Sequence, residues 1–340
     1  MNIETIAQKL NLSNSTVSRA LRDCKGVNPK TRAKVLRRAN ELGYHAPKGD
    51  NVTHGVALLL PGNSIDEIHE LASRYMIAIG HEVAQLGWQL YMVPIPLHEA
   101  SILERKETWP KGLTGENVDC CIVVDVISAK ARKLLASHFK ENIAMISRCY
   151  LEDGVSGTGI SDYDSAMTAT QKLLDLGHEN IGWIGSLGSE DISRKRFSGV
   201  SSKLFGQGLR MQAEIWMDER TPLEMKTVDS IMTASLPDNK EKWPTAWVAS
   251  NDWLAAKALL WLEKQGLSCP ENFSIICFDD TRIAETLAQR KLTSIVCPAI
   301  KIAQGAVKLL DYRWKKRITE PTAWIYPVSY REGDTVASVL

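Results

Sequence analysis

"LNLSNSTVSRALRDCKG", residues 10–26, combines a helical repeat of apolar side chains with a polar face. Val17, Ala20 and Leu21 recur at the spacing of one side of an α-helix. The opposite side carries hydrogen-bonding groups, on Asn14, Ser15, Ser18 and Arg19. The stretch therefore predicts a short helix that packs by its apolar side and presents amide, hydroxyl and guanidinium groups to its surroundings.

Two further helices are expected to flank this segment. Residues 3–10 repeat apolar side chains at helical spacing, and Ser13 is suited to cap the second helix. A third helix should follow Asn28, a capping residue with Pro29 after it at the first helical position, and should end at Gly43. Three short helices in about 45 residues are typical of a helix-turn-helix module.

Charge is unevenly distributed along the 340 residues. Residues 1–48 carry ten Lys and Arg but three Asp and Glu, a net charge of +7. The remainder carries 31 basic and 37 acidic residues, a net charge of −6. A basic segment on an acidic body favours binding of a polyanion by that segment. The alternative is a solvated face on a small packing domain, because polar helix faces are common.

The polar groups suit double-stranded DNA. An Arg side chain binds guanine O6 and N7 through two hydrogen bonds, and an Asn side chain binds adenine N6 and N7 in the same way. Side chains near the starts of the second and third helices are placed to hold phosphates. These are Ser13, Thr16, Asn28 and Thr31.

Residues 3–44 resemble the headpiece of the lactose-repressor (LacI/GalR) family of bacterial transcriptional regulators, over IETIAQKLNLSNSTVSRALRDCKGVNPKTRAKVLRRANELGY. The match has no gap, and its most specific parts are STVSRAL, the TR and KV pairs that follow, and ELGY. The resemblance implies that Asn14, Ser15 and Arg19 read bases. It implies contacts with the DNA backbone for Ser13, Thr16, Ser18, Asn28 and Thr31.

The linker departs from the family pattern. Relatives carry a short hinge helix ending in a leucine, and the two leucines of a dimer enter the minor groove and kink the operator. This chain reads PKGDNVTH over residues 47–54, where Gly49, Asp50 and Asn51 are poor helix formers and Val52 is the one large apolar side chain. We therefore predict a short linker without a hinge helix.

From residue 55 onward, apolar runs typical of strands alternate with longer helical patterns. The predicted strands are 56–61, 88–93, 120–126, 143–148, 180–186, 213–218, 246–250, 273–280 and 292–297. The predicted helices include 66–86, 164–176, 253–265 and 301–316. This alternation predicts parallel sheets with helices on both faces, and so many strands exceed one small doubly wound domain. Two lobes are therefore expected.

The resemblance continues through this region, in LGHENIGWIG (176–185), PTAWVASND (244–252), FDD (278–280) and LTSI (292–295). It implies an α/β two-lobed periplasmic-binding-protein-like core (type I), preceded by a small all-α helix-turn-helix DNA-binding domain. The implied domains are 1–46 for DNA binding, 47–54 as linker, and 55–340 for effector binding and dimerisation. Within the core, the implied first lobe is 55–157 with 294–320, and the second lobe is 158–293 with 321–340.

Ligands of open α/β sheets bind at the carboxyl ends of strands, here between the lobes. The resemblance assigns Arg196, Asn251 and Asp279 to effector binding, and these side chains can hold vicinal hydroxyls by directed hydrogen bonds. Trp253 is a candidate for stacking on a sugar ring, with ordinary packing as the alternative. The predicted effector site comprises Ser64, Arg148, Arg196, Asn251, Trp253 and Asp279.

The sequence does not contain the motifs typical of dinucleotide, zinc or catalytic sites. The glycines of 154–159 and 182–189 do not follow the G-x-G-x-x-G order of a dinucleotide site, and we expect them in turns after strands. The seven cysteines include no CxxC pair and no zinc-ligand spacing, and no Walker A, HExxH or G-x-S-x-G motif occurs. No metal, cofactor or catalytic residue is predicted. Without a secretory signal or a long apolar run, we expect a cytoplasmic protein with no membrane partner.

The sequence therefore favours a transcriptional repressor that binds a palindromic operator as a homodimer, since one small head reads too few base pairs. A small-molecule effector, a sugar or sugar derivative, should modulate operator affinity. Two alternatives stay open. One is a regulator of the same fold controlled by a protein co-regulator, and the other is a lobed α/β enzyme with a vestigial head.

Overall fold

The computed structural model describes residues 3–21, 27–42, 54–61, 70–95, 97–115, 117–124, 127–140, 142–148, 150–187, 190–217 and 224–339. The chain divides into two units, Met1–His54 and Gly55–Leu340, called here the head and the core. Two predictions fall outside the described residues. They are the hinge-free linker over 47–53 and the effector contact of Ser64.

The described part of the head consists of α1 (Ile3–Leu10), α2 (Asn14–Leu21) and α3 (Pro29–Glu41). Ser13 Oγ accepts the backbone N–H of Thr16 at 3.1 Å, and Asn28 Oδ1 accepts that of Lys30 at 2.9 Å, so both predicted caps are present. The apolar sides of the helices meet in one small cluster, formed by Ile6, Ala7, Val17, Ala20, Val35 and Ala39.

The described residues of the core form twelve strands. These are β1 (Gly55–Pro61), β2 (Gln89–Ile95), β3 (Cys120–Val124), β4 (Ile143–Ile146), β5 (Ser156–Gly159), β6 (Ile181–Ser186), β7 (Ala213–Met217), β8 (Ala246–Ala249), β9 (Ser274–Phe278), β10 (Thr293–Val296), β11 (Ala323–Ile325) and β12 (Ser329–Arg331). Each of the nine predicted apolar runs contains a strand. Most of these strands are buried between their sheet neighbours and the covering helices, whereas β2 and β7 are edge strands with exposed side chains.

Nine α-helices are described in the core. They are α4 (Glu70–Gln85), α5 (Lys111–Thr114), α6 (Ala129–His138), α7 (Asp162–Asp175), α8 (Glu190–Gly206), α9 (Met225–Ser235), α10 (Asp252–Lys264), α11 (Arg282–Ala288) and α12 (Ala299–Lys316). Short 3₁₀ helices span Leu97–Glu104, Lys106–Thr108, Leu151–Asp153 and Lys240–Lys242. Among the described residues, no helix is both long and apolar enough to cross a bilayer.

The strands form two six-stranded sheets, one in each lobe. The first lobe has the order β11-β5-β4-β3-β1-β2, and the second has the order β12-β10-β9-β8-β6-β7. All paired strands run parallel except β12, which is antiparallel to β10. The chain crosses between the lobes after β5, after β10 and after β11. Parallel strands in each lobe therefore present their carboxyl ends at one edge, where loops carry the polar residues.

The crossing points differ from those implied by the family resemblance. Thr293–Val296, expected to begin the returning part of the first lobe, pairs with β9 in the second sheet. Ala323–Ile325, expected in the second lobe, pairs with β5 in the first sheet, where Trp324 lies opposite Thr158. Sequence periodicity predicts a strand but not the strand with which it pairs. Backbone pairing with residues far away in sequence determines which sheet these short strands join.

Several glycines lie inside strands rather than in the turns we expected. Gly157 and Gly159 belong to β5, which is fully buried, and Gly182 and Gly185 belong to β6. A Cβ on Gly182 would come within 2.5 Å of the Trp247 ring. The glycines therefore make room for neighbouring rings and backbone, a use of glycine in strands that sequence spacing does not reveal.

The small core of the head leads to a test of its independence. Ile6 is fully buried in the head cluster, and Ile6→Ala should cost about 2–5 kcal/mol, which is enough to unfold so small a unit. Calorimetry of the full chain should then show loss of the head transition while the transition of the core is retained. The control Leu36→Ala truncates a 45% exposed side chain of α3 and should leave both transitions in place. A shift of the core transition by Ile6→Ala alone would contradict the division.

Candidate functional site

The polar face of α2 is accessible in the head. Asn14, Ser15 and Arg19 are exposed, whereas Val17 and Ala20 on the same helix are buried against α1 and α3. The helix is thus anchored by its apolar side, as its spacing predicts. Its exposed face presents amide, hydroxyl and guanidinium groups that match the hydrogen-bonding edges of bases in a major groove.

The predicted phosphate contacts lie around two helix starts. Ser13 caps α2, and its hydroxyl also contacts the hydroxyls of Ser15 at 2.9 Å and Thr16 at 2.8 Å. Ser18 is half-buried on α2, and Asn28 and Thr31 lie at the start of α3. Backbone N–H groups at helix starts attract anions, so hydroxyls and amides clustered there can orient a phosphate.

In the core, Arg196 is the centre of a buried polar cluster. This side chain of α8 is 5% exposed, and its Nε donates to Asp162 Oδ1 at 2.8 Å. Its Nη1 donates to the carbonyl oxygen of Ser250, and its Nη2 lies 3.7 Å from Asp279 Oδ1. The guanidinium carbon lies 4.1 Å from the centre of the Phe278 ring. Arg196 therefore joins the start of α7 to the carboxyl ends of β8 and β9.

Burial and charge act in opposite directions on this guanidinium. Burial alone would lower the pKa of Arg196, but the carboxylates of Asp162 and Asp279 outweigh it and raise the pKa. The charged form is thus stabilised by two acids in a site of low dielectric. Two of the predicted effector residues, Arg196 and Asp279, are brought together by this cluster.

Asn251 and Asp252 follow β8 and organise the neighbouring loop. Asn251 Oδ1 accepts the backbone N–H of Leu254 at 2.8 Å and caps α10. Asp252 Oδ2 accepts the backbone N–H of Thr281 at 2.5 Å, which ties the start of α10 to the turn after β9. Burial, helped by the nearby Asp279 carboxylate, raises the pKa of Asp252 to about 7. Asn251 thus lies one residue from the Ser250 carbonyl that binds Arg196, with its side-chain oxygen used as a cap.

Asp279 and Asp280 have left-handed backbone conformations, with φ of 93° and 67°. Their side chains contact different partners. Asp279 lies next to Arg196, and Asp280 Oδ1 lies 2.7 Å from Arg331 Nη2. Non-glycine residues rarely adopt such φ values, so the surrounding contacts must hold this turn. A carboxylate held in this way is suited to fixed, directional hydrogen bonding with a ligand.

Arg148 and Trp253, two further predicted effector residues, lie in different lobes. Arg148 follows β4 in the first lobe and is buried, and its charge acts on the nearby Tyr150 hydroxyl. Trp253 is half-buried on α10, where Lys257 Nζ lies 5.2 Å from the centre of its ring.

Sequence reasoning missed several polar residues that line the same region. Asp162 pairs with Arg196, and Tyr75 of the first lobe donates to or accepts from Ser147 Oγ at 2.7 Å. Tyr150 Oη donates to Asp191 Oδ2 of the second lobe at 3.2 Å. These residues lie far apart in sequence and follow no motif. The one available signal was the position of Asp162 at the start of α7, directly after the first crossing between lobes.

Comparisons with known proteins agree with this architecture. Residues 2–47 match the family described as bacterial regulatory proteins, lacI family, and residues 170–336 match the periplasmic binding protein-like domain. Catabolite control protein A of Priestia megaterium is 26% identical over 326 residues, which is 94% of each chain.

Two solved structures have the same fold. The complex of the transcriptional regulator CelR with cellobiose has a TM-score of 0.68 at 21% identity, covering 98% of this chain and 99% of that one. The lac repressor dimer bound to operator and the anti-inducer ONPF has a TM-score of 0.68 at 19% identity, covering 99% of each chain.

The raised pKa of Asp252 predicts a pH dependence of stability. Between the ordinary value of 3.8 and about 7, the folded protein binds a proton that the unfolded chain has released. The contribution of this group therefore falls as pH rises from about 4 to about 7 and is constant above that range. Asp252→Asn should abolish this fall, which leaves the variant relatively more stable than the parent at pH 8 than at pH 4, by about 2–4 kcal/mol.

Urea unfolding of both proteins from pH 4 to pH 8 measures the difference. The exposed Asp238 lies in the same lobe, so Asp238→Asn is the matched control and should reproduce the parent curve. Parallel pH profiles for the parent and Asp252→Asn would show that Asp252 is not the titrating group.

Proposed function

Because this chain belongs to the lacI family of bacterial regulatory proteins, we propose that it is a repressor whose binding to a palindromic operator responds to a sugar held between its lobes. The chain is a DNA-binding transcriptional regulator, and regulators of this family bind operators as dimers. The observation that carries the DNA-binding part is the exposed Asn14, Ser15 and Arg19 face on an α2 helix whose other side is buried.

Base recognition is assigned to the exposed face of α2. Arg19 is the residue for a guanine, through two hydrogen bonds to O6 and N7, and Asn14 is suited to an adenine. Ser15 supplies a hydroxyl that accepts or donates as the base requires. Ser13, Thr16, Ser18, Asn28 and Thr31 fix the register of the helix by contacts with the phosphates. The net charge of +7 over residues 1–48 supports the sequence-independent part of the binding.

The effector site is assigned to the cleft between the sheets. The Arg196–Asp279 pair offers donors and an acceptor 3.7 Å apart, a separation that two neighbouring hydroxyls of a sugar can span. The sequence predicts Ser64, Arg148, Asn251 and Trp253 in the same site, with Trp253 as the ring for stacking. The solved complex of CelR with cellobiose supports a sugar as the class of ligand.

Regulation follows from linkage between the cleft and the heads. A sugar that binds one lobe arrangement more tightly shifts the protein toward that arrangement. If the two arrangements place the paired heads differently, operator affinity changes by the same coupling free energy. No reaction is needed for this response, which distinguishes a regulator from a lobed enzyme that turns over a small substrate.

Arg19 provides the test of base reading. On an operator selected by the protein from random duplexes, Arg19→Ala should remove the preference at one base pair in each half-site, at a cost of about 1–3 kcal/mol. Binding titrations on the operator and its single-base variants at two salt concentrations measure this preference. The exposed Arg37 of α3 is the control, since Arg37→Ala should weaken all duplexes equally and reduce the salt slope. Equal losses on specific and random DNA for Arg19→Ala would refute a base-reading role.

Asp279 provides the test of effector binding. A thermal-shift screen of the full chain with sugars, nucleosides and phosphorylated sugars should identify a stabilising sugar, because a ligand that binds the folded state raises its apparent stability. Asp279→Ala should abolish this shift, since it removes an acceptor beside Arg196, while operator affinity stays near that of the parent. Asp238→Ala, at an exposed site of the same lobe, should keep the shift. An undiminished shift in Asp279→Ala would contradict the site, and a screen without any response would favour a protein co-regulator.

A further inference from the structure

Two side chains of the first lobe contact the turn that carries Asp279. Glu70 and Arg74 lie four residues apart on one face of α4, and Arg74 Nη2 donates to Glu70 Oε1 at 2.5 Å. The second carboxylate oxygen of Glu70 accepts the backbone N–H of Arg282 at 2.7 Å. Arg74 Nη2 also lies 3.3 Å from the carbonyl oxygen of Asp280. One ion pair of the first lobe therefore binds a backbone donor and a backbone acceptor of the second lobe.

The turn that this pair grips is held from several directions. Within the second lobe, Asp252 binds the N–H of Thr281 at 2.5 Å, and Arg331 binds the Asp280 carboxylate at 2.7 Å. Arg331 is itself oriented by Glu285, at 2.5 Å. Because Asp279 and Asp280 occupy the left-handed region, their conformation depends on these contacts. Glu70 and Arg74 supply the contribution of the first lobe to a turn that places Asp279 beside Arg196.

A second pair of residues crosses between the lobes elsewhere along the cleft. Tyr150 Oη of the first lobe donates to Asp191 Oδ2 of α8 at 3.2 Å. The Tyr150 ring packs against the guanidinium of Arg132, whose carbon lies 3.7 Å from the ring centre and which pairs with Asp153 at 2.6 Å. The tyrosine is thus held in the first lobe while its hydroxyl reaches the second.

We propose that the Glu70–Arg74 pair is a latch that holds the two lobes in this arrangement and positions Asp279 for the effector, and that it acts together with the Tyr150–Asp191 bond. The effector role of the latch rests on the function proposed above, whereas the latch itself does not. Separation of the lobes breaks both bridges, the Glu70–Arg74 contacts and the Tyr150–Asp191 hydrogen bond. Each bridge therefore stabilises the lobe arrangement in which the other can form. Glu70 and Arg74 act through Asp279, and they are positioning residues rather than ligand contacts.

Hydrogen exchange of the full chain without ligand tests the latch directly. Each opening of the lobes exposes amides at both bridges, and the exchange rate follows the open population. Glu70→Ala removes two charge-assisted contacts, so exchange should accelerate about 5–30-fold for amides of residues 279–283. It should accelerate to a similar extent for residues 150–155, which belong to the Tyr150–Asp191 bridge. Arg74→Met, which keeps the apolar stem, should act in the same direction.

Two controls separate a latch from a local structural contact. Glu70→Gln keeps an oxygen that accepts the Arg282 N–H, so exchange near Arg282 should stay within a few-fold of the parent. Asp311→Ala breaks a comparable ion pair at i,i+4 spacing, Lys315–Asp311 at 2.8 Å, which lies entirely within α12, and it should leave both cleft segments unchanged. Tyr150→Phe, which removes the other bridge, should accelerate exchange at 279–283 in return.

The proposal is overturned if acceleration stays confined to the segment next to each substitution, or if Asp311→Ala accelerates the same segments. Because these measurements use no ligand, their outcome is independent of the sugar screen. A protein without any sugar response but with coupled exchange would refute the proposed effector and keep the latch. A sugar response with uncoupled exchange would support the proposed effector and refute the latch. Where a sugar does bind, Glu70→Ala should weaken its binding, because the competent arrangement becomes less populated, and by no more than the factor by which exchange accelerates.

Discussion

The pairing of the buried Arg196 guanidinium is the constraint around which the core is organised. A cation of this size cannot remain charged in a low-dielectric interior without compensating acids and hydrogen-bond acceptors. Asp162, Ser250 and Asp279 supply them from the start of one helix and the ends of two strands. The requirement to satisfy one side chain thus sets the relative positions of three segments distant in sequence. The same requirement accounts for the Asp162 and Asp279 carboxylates beside Arg196. Burial, helped by the Asp279 carboxylate, raises the pKa of the neighbouring Asp252 to about 7.

The elements of the core were largely predictable from sequence, but their pairing was not. Apolar runs such as 181–186 and 274–278 are buried on both faces, and such runs can be recognised without any partner. The β5 strand, SGTG, has little intrinsic strand preference and forms because β4 and β11 enclose it. The placement of β10 and β11 in their sheets depends on backbone partners more than ten residues away, about which local periodicity carries no information.

The residues of the candidate site also fall into those that the sequence predicts and those that only the fold reveals. Residues carried by the family pattern, Arg196 and Asp279, are in mutual contact in the structure. Tertiary contacts alone bring three further residues to the region, Asp162, Tyr75 and Tyr150, so no sequence motif predicts them. The candidate DNA-binding face of the head was easier to predict from the sequence, because the packing side and the polar side of α2 both lie within one eight-residue helix. Function that resides on one element can be inferred from sequence, whereas function shared between elements requires the fold.

The three crossings between the lobes also bear on how the protein is made. The first sheet gains its last strand from residues 323–325, and α12, which packs on it by one side, comes from residues 299–316. When the ribosome has translated β1 to β5 of the first lobe, it has therefore not yet translated α12, which covers these strands, or β11, which completes their sheet. The second lobe reaches its own closing strand, β12, only a few residues later. Neither lobe can complete its folding during synthesis of its own amino-terminal portion, so the two should reach their final form almost together, once residues 323–331 have emerged.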